Sequence, residues 1–195
     1  MPKRSDAKAE MITAAAKLFR AHGYEGVGIA ELLTASGAPR GSLYFHFPGG
    51  KEEIAAEAIL RAGEFISSRL QGLAERVKDP KGYIDRAFAA WGEELSASDF
   101  QNGCAVALIA LEMAERSPRL RDAAAEAFAL WEKEFAIAAR AWGMREGDAV
   151  SFASAMLGAI EGAIALARTK RSIQPFQSAA LAMNALAETL IAKSQ

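Results

Sequence analysis

Residues 26–51 read GVGIAELLTASGAPRGSLYFHFPGGK, and this stretch decides the fold of the chain. Its apolar residues recur three and four positions apart in two short segments, which gives each segment one apolar helix face. These residues are Ile29, Leu32 and Leu33 in the first segment and Leu43 and Phe47 in the second. Between the segments, Gly37 suits the positive φ that follows a helix end, and Pro39 suits the first turn of a new helix. The stretch therefore predicts a helix-turn-helix, with helices at about 29–36 and 40–46.

The second of these helices carries side chains that a helix meant only for packing does not need. Arg40 is a forked donor suited to a guanine edge, and Gly41 allows close approach of the backbone to another surface. Hydroxyl, imidazole and ammonium groups nearby can donate to phosphate oxygens. The predicted DNA-contacting residues are Gly28, Pro39, Arg40, Gly41, Ser42, Tyr44, His46 and Lys51. Tyr44, Phe45 and Phe47 could instead be core aromatics, and for Phe47 we adopt that interpretation.

The segment from Ala35 to Phe47, followed by Lys51 and Glu52, strongly resembles the recognition-helix signature of the tetracycline-repressor (TetR) family. Further along, Asn102–Glu112 is similar to the LmrA/YxaF-like branch of that family, as is the Pro48–Lys51 run. The N-terminal sequence has no apolar signal core, which predicts a cytoplasmic location. The resemblance implies a homodimeric transcription factor. It also implies binding to double-stranded operator DNA at a palindrome, with release by a small-molecule effector.

One position departs from the family pattern. Members usually carry Thr or Ser just before the first of the two helices, where the hydroxyl caps the helix and contacts a phosphate. This chain has Val27-Gly28 there. Gly28 can still cap the helix through its backbone, but it offers no side-chain contact to DNA.

Charge is distributed unevenly along the chain, although the formal net charge is only −1. Residues 1–51 carry 7 basic and 4 acidic side chains, whereas residues 52–195 carry 16 and 20. The basic excess therefore coincides with the helix-turn-helix, as expected for a segment that approaches nucleic acid. A single cysteine, Cys104, excludes an internal disulfide and fits a reducing compartment.

Cap-and-proline pairs and glycine stops divide the remainder into further helices, and no segment shows the alternation of a strand. The prediction is an all-α fold of about nine helices. Residues 1–50 form a helix-turn-helix DNA-binding domain, and residues 51–195 form a larger ligand-binding and dimerisation domain. A long helix at about 51–77 links the two. The apolar run at 152–167 is too short for a membrane span and contains Glu161, so we predict a buried helix and no membrane partner.

Aromatic and Met residues in the larger part exceed what packing of slender helices requires, which predicts a cavity for an apolar ligand. The predicted pocket residues are Phe65, Phe88, Trp91, Ala107, Leu108, Leu111, Trp131, Phe135, Phe152 and Met156.

Small residues along the run at 152–167 allow another helix to approach closely, and its apolar character on all sides requires burial on more than one side. A partner subunit would supply the second side. The predicted interface residues are Gly158, Glu161, Gly162, Leu181, Leu186 and Leu190. Glu161 could pair across the dimer, bond a ligand or lie at an exposed edge.

Other function classes receive less support from the sequence. His22 and His46 lack Cys or His neighbours at metal spacing, and no nucleophile and base form a recognisable pair, so we predict no metal, no cofactor and no enzyme activity. A dimer that has lost operator binding is the main alternative, supported only by Gly28.

Overall fold

The computed structural model describes the backbone of residues 4–194, and the side chains in that range apart from those of residues 4–6 and 40. Within it the chain forms nine α-helices and no strand, which confirms the predicted fold class. The helices are α1 (Arg4–His22), α2 (Ile29–Ser36), α3 (Arg40–His46), α4 (Gly50–Arg76), α5 (Pro80–Ala97), α6 (Ala105–Met113), α7 (Pro118–Ala141), α8 (Glu146–Lys170) and α9 (Gln174–Ala192).

Two compact units divide the chain, and neither is continuous in sequence. The first comprises residues 1–63 and 104–127, and the second comprises residues 64–103 and 128–195. The predicted boundary at residue 50 does not coincide with either limit, because α6 and the start of α7 belong to the first unit. As a division of function, residues 1–50 against 51–195 remains a prediction.

In the first unit α1 packs against α2 and α6. Phe19, Leu32, Leu43 and Phe47 are fully buried, as the pattern of apolar residues predicts. Ile29 is only half-buried, and the fully buried residue at the entry to α2 is Val27. Val27 and Leu32 occupy the two positions of a hydrophobic staple around the cap Gly28, which explains why Val27 takes the inner place.

In the second unit α9 packs against both α5 and α8, and α5 also contacts α8. Its core is aromatic, with Tyr83, Phe88, Trp131, Phe135 and Phe152 almost completely buried. Among described helices α8 alone is long and apolar enough to cross a membrane. Its buried residues include Met156 and Ile160, as expected of a core helix in the second unit.

Candidate functional site

Helix α3 has one buried face and one exposed face. Leu43 and Phe47 are fully buried, whereas the rings of Tyr44 and Phe45 are 59% and 62% exposed. Two neighbouring aromatic rings directed away from the core are unusual on so short a helix, because such side chains are normally buried. The exposed face of α3 is therefore suited to contact a partner surface.

The residues predicted to contact DNA lie within α2, α3 and the start of α4, or immediately before them. Gly28 is the N-cap of α2 with φ −90° and ψ 154°, and it makes no side-chain bond. Pro39 is the N-cap of α3 and Gly41 has open space around it. The hydroxyl of Ser42 donates to the Pro39 carbonyl at 2.7 Å, so part of its hydrogen-bonding capacity serves the start of α3. The side chain of Arg40 lies outside the described residues.

Two of the predicted contacts have aromatic neighbours. The imidazole of His46 is half-buried, with its ring centroid 5.0 Å from that of Phe45. The ammonium of Lys51 lies 4.0 Å from the centroid of the Tyr24 ring, and partial burial there lowers its pKa. Because the Tyr24 ring already restricts the Lys51 side chain, ordering that side chain against a phosphate costs less conformational entropy.

Sequence reasoning missed Phe45, because it grouped this residue with core aromatics. The spacing of Leu43 and Phe47, four apart, already fixes the buried face of α3 and places Phe45 outside it. That signal was available in the sequence. We add Phe45 to the candidate contact residues.

The turn after α1 is fastened to α6 by one carboxylate. Glu112 of α6 accepts a hydrogen bond from the backbone N–H of Glu25 at 2.8 Å. Its other oxygen lies so close to Gly23 that a Cβ there would be 2.0 Å away. Gly23 also has a φ of +71°, which favours glycine. Arg116 pairs with the side chain of Glu25 and completes this arrangement, which we call the α6 latch (Gly23, Glu25, Glu112 and Arg116).

A second polar contact ties α7 to α4 in the same unit. Ser117 is 3% exposed, and its oxygen accepts from the N–H of Leu120 at 3.1 Å, which caps α7. Its hydroxyl donates to the carboxylate of Glu52 in the first turn of α4. Residues of α6 and of the start of α7, which are distant in sequence, thus contact the segments on either side of α2 and α3.

The residues predicted to line a ligand pocket do not surround one common cavity in the described part of the chain. Trp91, Trp131 and Phe135 border a cavity of only about 10 Å³, which has room for about one water molecule. Phe65 is 62% exposed and lines a groove between α4 and α5 of about 790 Å³. Phe88 lines a different groove, between α5 and α9, and Phe152 and Met156 lie in the core of the second unit. The last three predicted pocket residues lie on α6, in the first unit: Ala107, Leu108 and Leu111.

The aromatic core of the second unit contains a buried carboxylate, that of Glu134. Glu134 is 7% exposed and accepts hydrogen bonds from Gln71 Nε2 at 2.8 Å and Ser67 Oγ at 3.2 Å. Tyr83, also in this core, has its pKa raised by burial and, to a smaller extent, by the charge of Glu134. No local pattern predicts this cluster, because its members come from three different helices.

The residues predicted at a subunit interface fall into two groups. Gly158 and Gly162 of α8 are exposed, and no atom lies within 4 Å of a Cβ built on either. Leu181 and Leu186 of α9 are 74% and 36% exposed. In contrast, Leu190 is buried within its own chain, and Glu161 is half-buried beside the small tryptophan-lined cavity.

Comparison with known proteins assigns a family to both parts of the chain. Residues 11–58 match the bacterial regulatory proteins of the tetR family, and residues 80–182 match the C-terminal domain of LmrA/YxaF-like transcriptional regulators. The chain is 34% identical to the HTH-type transcriptional regulator LmrA of Bacillus subtilis, over 87% of this chain and 90% of the relative. It is 31% identical to the uncharacterized regulator YxaF of the same organism, over 90% of this chain and 92% of that one.

The fold has solved counterparts as well. A TetR transcriptional regulator from Legionella pneumophila superimposes with a TM-score of 0.81 at 19% identity, covering 90% of this chain and 94% of the other. The matching families and relatives are transcriptional regulators and not enzymes. This chain therefore belongs to the TetR family of DNA-binding transcriptional regulators, with an LmrA/YxaF-like C-terminal domain.

Proposed function

We propose that this protein is a cytoplasmic repressor that binds a palindromic operator as a homodimer and is released by a small apolar or amphipathic molecule. Operator binding is supported above all by the exposed face of α3. Tyr44 and Phe45 are exposed there, on the side opposite the buried Leu43 and Phe47. In a helix-turn-helix the second helix enters the major groove, so an outward face of this kind is the one that meets DNA.

Operator binding should fall steeply with salt, because each neutralised phosphate releases counterions. Arg40→Ala is expected to cost about 1–3 kcal/mol of operator affinity and to relax the preference at one base pair of each half-site. Lys51→Ala should instead weaken binding to all sequences alike and make the salt dependence shallower. Fluorescence anisotropy with operator variants and a salt series measures both effects.

The control for these variants is Lys133→Ala, which removes an exposed charge from α7 in the second unit. It should leave operator affinity and the salt slope unchanged. An unaltered base preference in Arg40→Ala would remove the specifying role from that residue. Failure of the wild-type chain to shift DNA that flanks its own gene would favour the alternative, a dimer without an operator.

Homodimer formation is supported by a face on α8 and α9 that is nearly free of charge. A shallow groove of about 530 Å³ runs along it, and Lys170 at one end is the single charged residue that lines it. Small side chains at Ala159, Gly162 and Ala179 would let a second pair of helices approach closely. An uncovered apolar face of this kind on a soluble chain is typical of a subunit interface.

The effector is proposed to act in the second unit, in the groove of about 790 Å³ between α4 and α5, where Phe65 and Trp91 supply apolar contact and Arg86 and Glu94 supply hydrogen-bonding groups. Helix α4 contributes residues to both compact units, so a shift of α4 on ligand binding is our proposed route to the helix-turn-helix. The ligand can change operator binding only by its differential affinity for the two states, typically about 1–3 kcal/mol.

Linkage gives this proposal a strict test. If an effector weakens operator binding by a given factor, saturating operator must weaken effector binding by the same factor. Isothermal titration of the effector, with and without operator, measures this directly. Equal affinities would exclude the coupling.

A further inference from the structure

A groove of about 820 Å³ runs between α5 and α9 in the second unit. The two helices are antiparallel, because Asp85 bonds Asn184 near one end and Gly92 meets the Phe176 ring farther along. The volume falls within the range of small-molecule sites. This groove is separate from the cavity that Trp91 and Trp131 border.

From its middle to the Ile173 end the groove is lined mainly by apolar and uncharged side chains, and among the lining residues Glu93 is the one charged group there. Ile173 and Leu181 are 41% and 74% exposed, and the rings of Phe88 and Phe176 form the floor beneath them. The lining at the Ile173 end is completed by Ser96, Ala97 and Gln177, none of which carries a charge. Large apolar side chains left in water along a concave surface favour an apolar occupant.

The opposite end is polar and acidic. It contains Asp85, Glu188 and Lys81. Lys81 pairs with Asp85, and this hydrogen bond holds the pKa of Asp85 below its ordinary value. Two carboxylates at this end therefore face a single ammonium, which is itself already paired with Asp85.

Asn184 places an unsatisfied buried acceptor beside these carboxylates. It is 9% exposed, lines the groove, and donates from Nδ2 to Asp85 Oδ1 at 2.8 Å. This bond fixes the orientation of the amide, because the reverse would bring two acceptor oxygens together. The amide oxygen of Asn184 is left buried with no hydrogen-bond partner among the described residues. A buried acceptor in this state requires a donor.

We propose that the α5–α9 groove binds a small amphipathic amine. Its protonated amino group donates to the Asn184 amide oxygen beside Asp85 and Glu188, and its apolar part lies along Phe176 toward Ile173. A cationic head matches both the orphaned acceptor and the excess of carboxylates. An anionic head would meet Glu188 and would leave the Asn184 oxygen without a donor.

Isothermal titration calorimetry of the full-length chain tests this with three probes of equal chain length, each below its micelle concentration. Decylammonium should bind with one-to-one stoichiometry. Decyltrimethylammonium, which has the charge but no N–H, should bind at least about tenfold more weakly, and decanoate should not bind. Asn184→Leu should reduce decylammonium binding to the level of the quaternary probe and leave the quaternary probe unaffected. Equal binding of decanoate and decylammonium would overturn the proposal.

A second pair of variants keeps the test decisive if Asn184→Leu does not fold. Ala97 is exposed and lines this groove, so Ala97→Trp should fill its apolar end and weaken decylammonium binding at least about tenfold. Ala129→Trp places the same ring on an exposed position of α7 outside the groove and should change nothing. Equal affinities of the two variants would refute the site. Loss of dimer mass in Ala97→Trp alone would show a second copy of the chain as the occupant instead. No DNA is present, so the result does not depend on operator binding.

Discussion

Gly23→Ala is expected to destabilise the first compact unit by about 2.5–5 kcal/mol and to lower operator affinity with it. A side chain at a φ of +71° costs about 1–2 kcal/mol. The new methyl would also occupy the place of the Glu112 carboxylate, 2.0 Å away, and would break its bond to the Glu25 N–H. Loss of a hydrogen bond to a charged group adds about 1.5–3 kcal/mol.

The matched control is Gly37→Ala. Gly37 has nearly the same φ, +65°, but a Cβ there meets no atom within 4 Å. The two variants therefore share the backbone cost and differ only in the α6 latch. Hydrogen exchange followed by mass spectrometry measures the protection of peptides from α1 and α2. Tryptophan fluorescence would not report on these helices, because the three tryptophans all lie in the second unit: Trp91, Trp131 and Trp142. Equal protection in the two variants would mean that the latch contributes nothing.

A double-mutant cycle isolates the latch further. Glu112→Ala removes the carboxylate, so in its background Gly23→Ala should cost only the backbone share of the loss. If the two substitutions were additive, the collision with Glu112 could not be the cause.

Gly162→Arg is expected to convert the dimer to monomers and to reduce operator affinity by at least about 100-fold. No atom of the same chain lies within 4 Å of a Cβ at Gly162, so the single chain accommodates the new side chain without a clash. Any large effect must therefore come from a partner subunit. An unpaired guanidinium buried at an interface costs several kcal/mol, and a half-site alone binds weakly.

Gly147→Arg is the control. Gly147 is also exposed, and a Cβ built there also meets no atom within 4 Å. It lies in the first turn of the same helix, outside the groove along α8 and α9. Light scattering at micromolar concentration measures the mass of each variant. An intact dimer for Gly162→Arg would move the interface away from this face.

Local patterns predicted much of the fold. Gly37, Pro39 and the apolar spacing placed α2 and α3 at the residues where they occur, since caps, turns and helix periodicity depend on neighbours in sequence. The exposed position of Tyr44, the buried position of Phe47 and the family itself could also be predicted from the sequence.

Contacts between distant residues could not be predicted in this way. Glu112 lies 87 positions from Glu25, and nothing local to either residue indicates that they meet. The ligand pocket shows the same limit. Trp131 and Phe135 share a helix face that local spacing can predict, but whether Phe65 or Leu111 joins them depends on packing.

The discontinuous make-up of the first unit has a consequence for synthesis on the ribosome. The helix-turn-helix is complete in sequence at His46, but Val106 and Ile109 of the same compact unit are translated much later. At about 5–20 residues per second, several seconds separate the emergence of α3 from that of α6. During that interval the nascent helix-turn-helix lacks part of its core, and it is a candidate for chaperone binding. A fragment that ends at Gly63 would remain permanently in that condition.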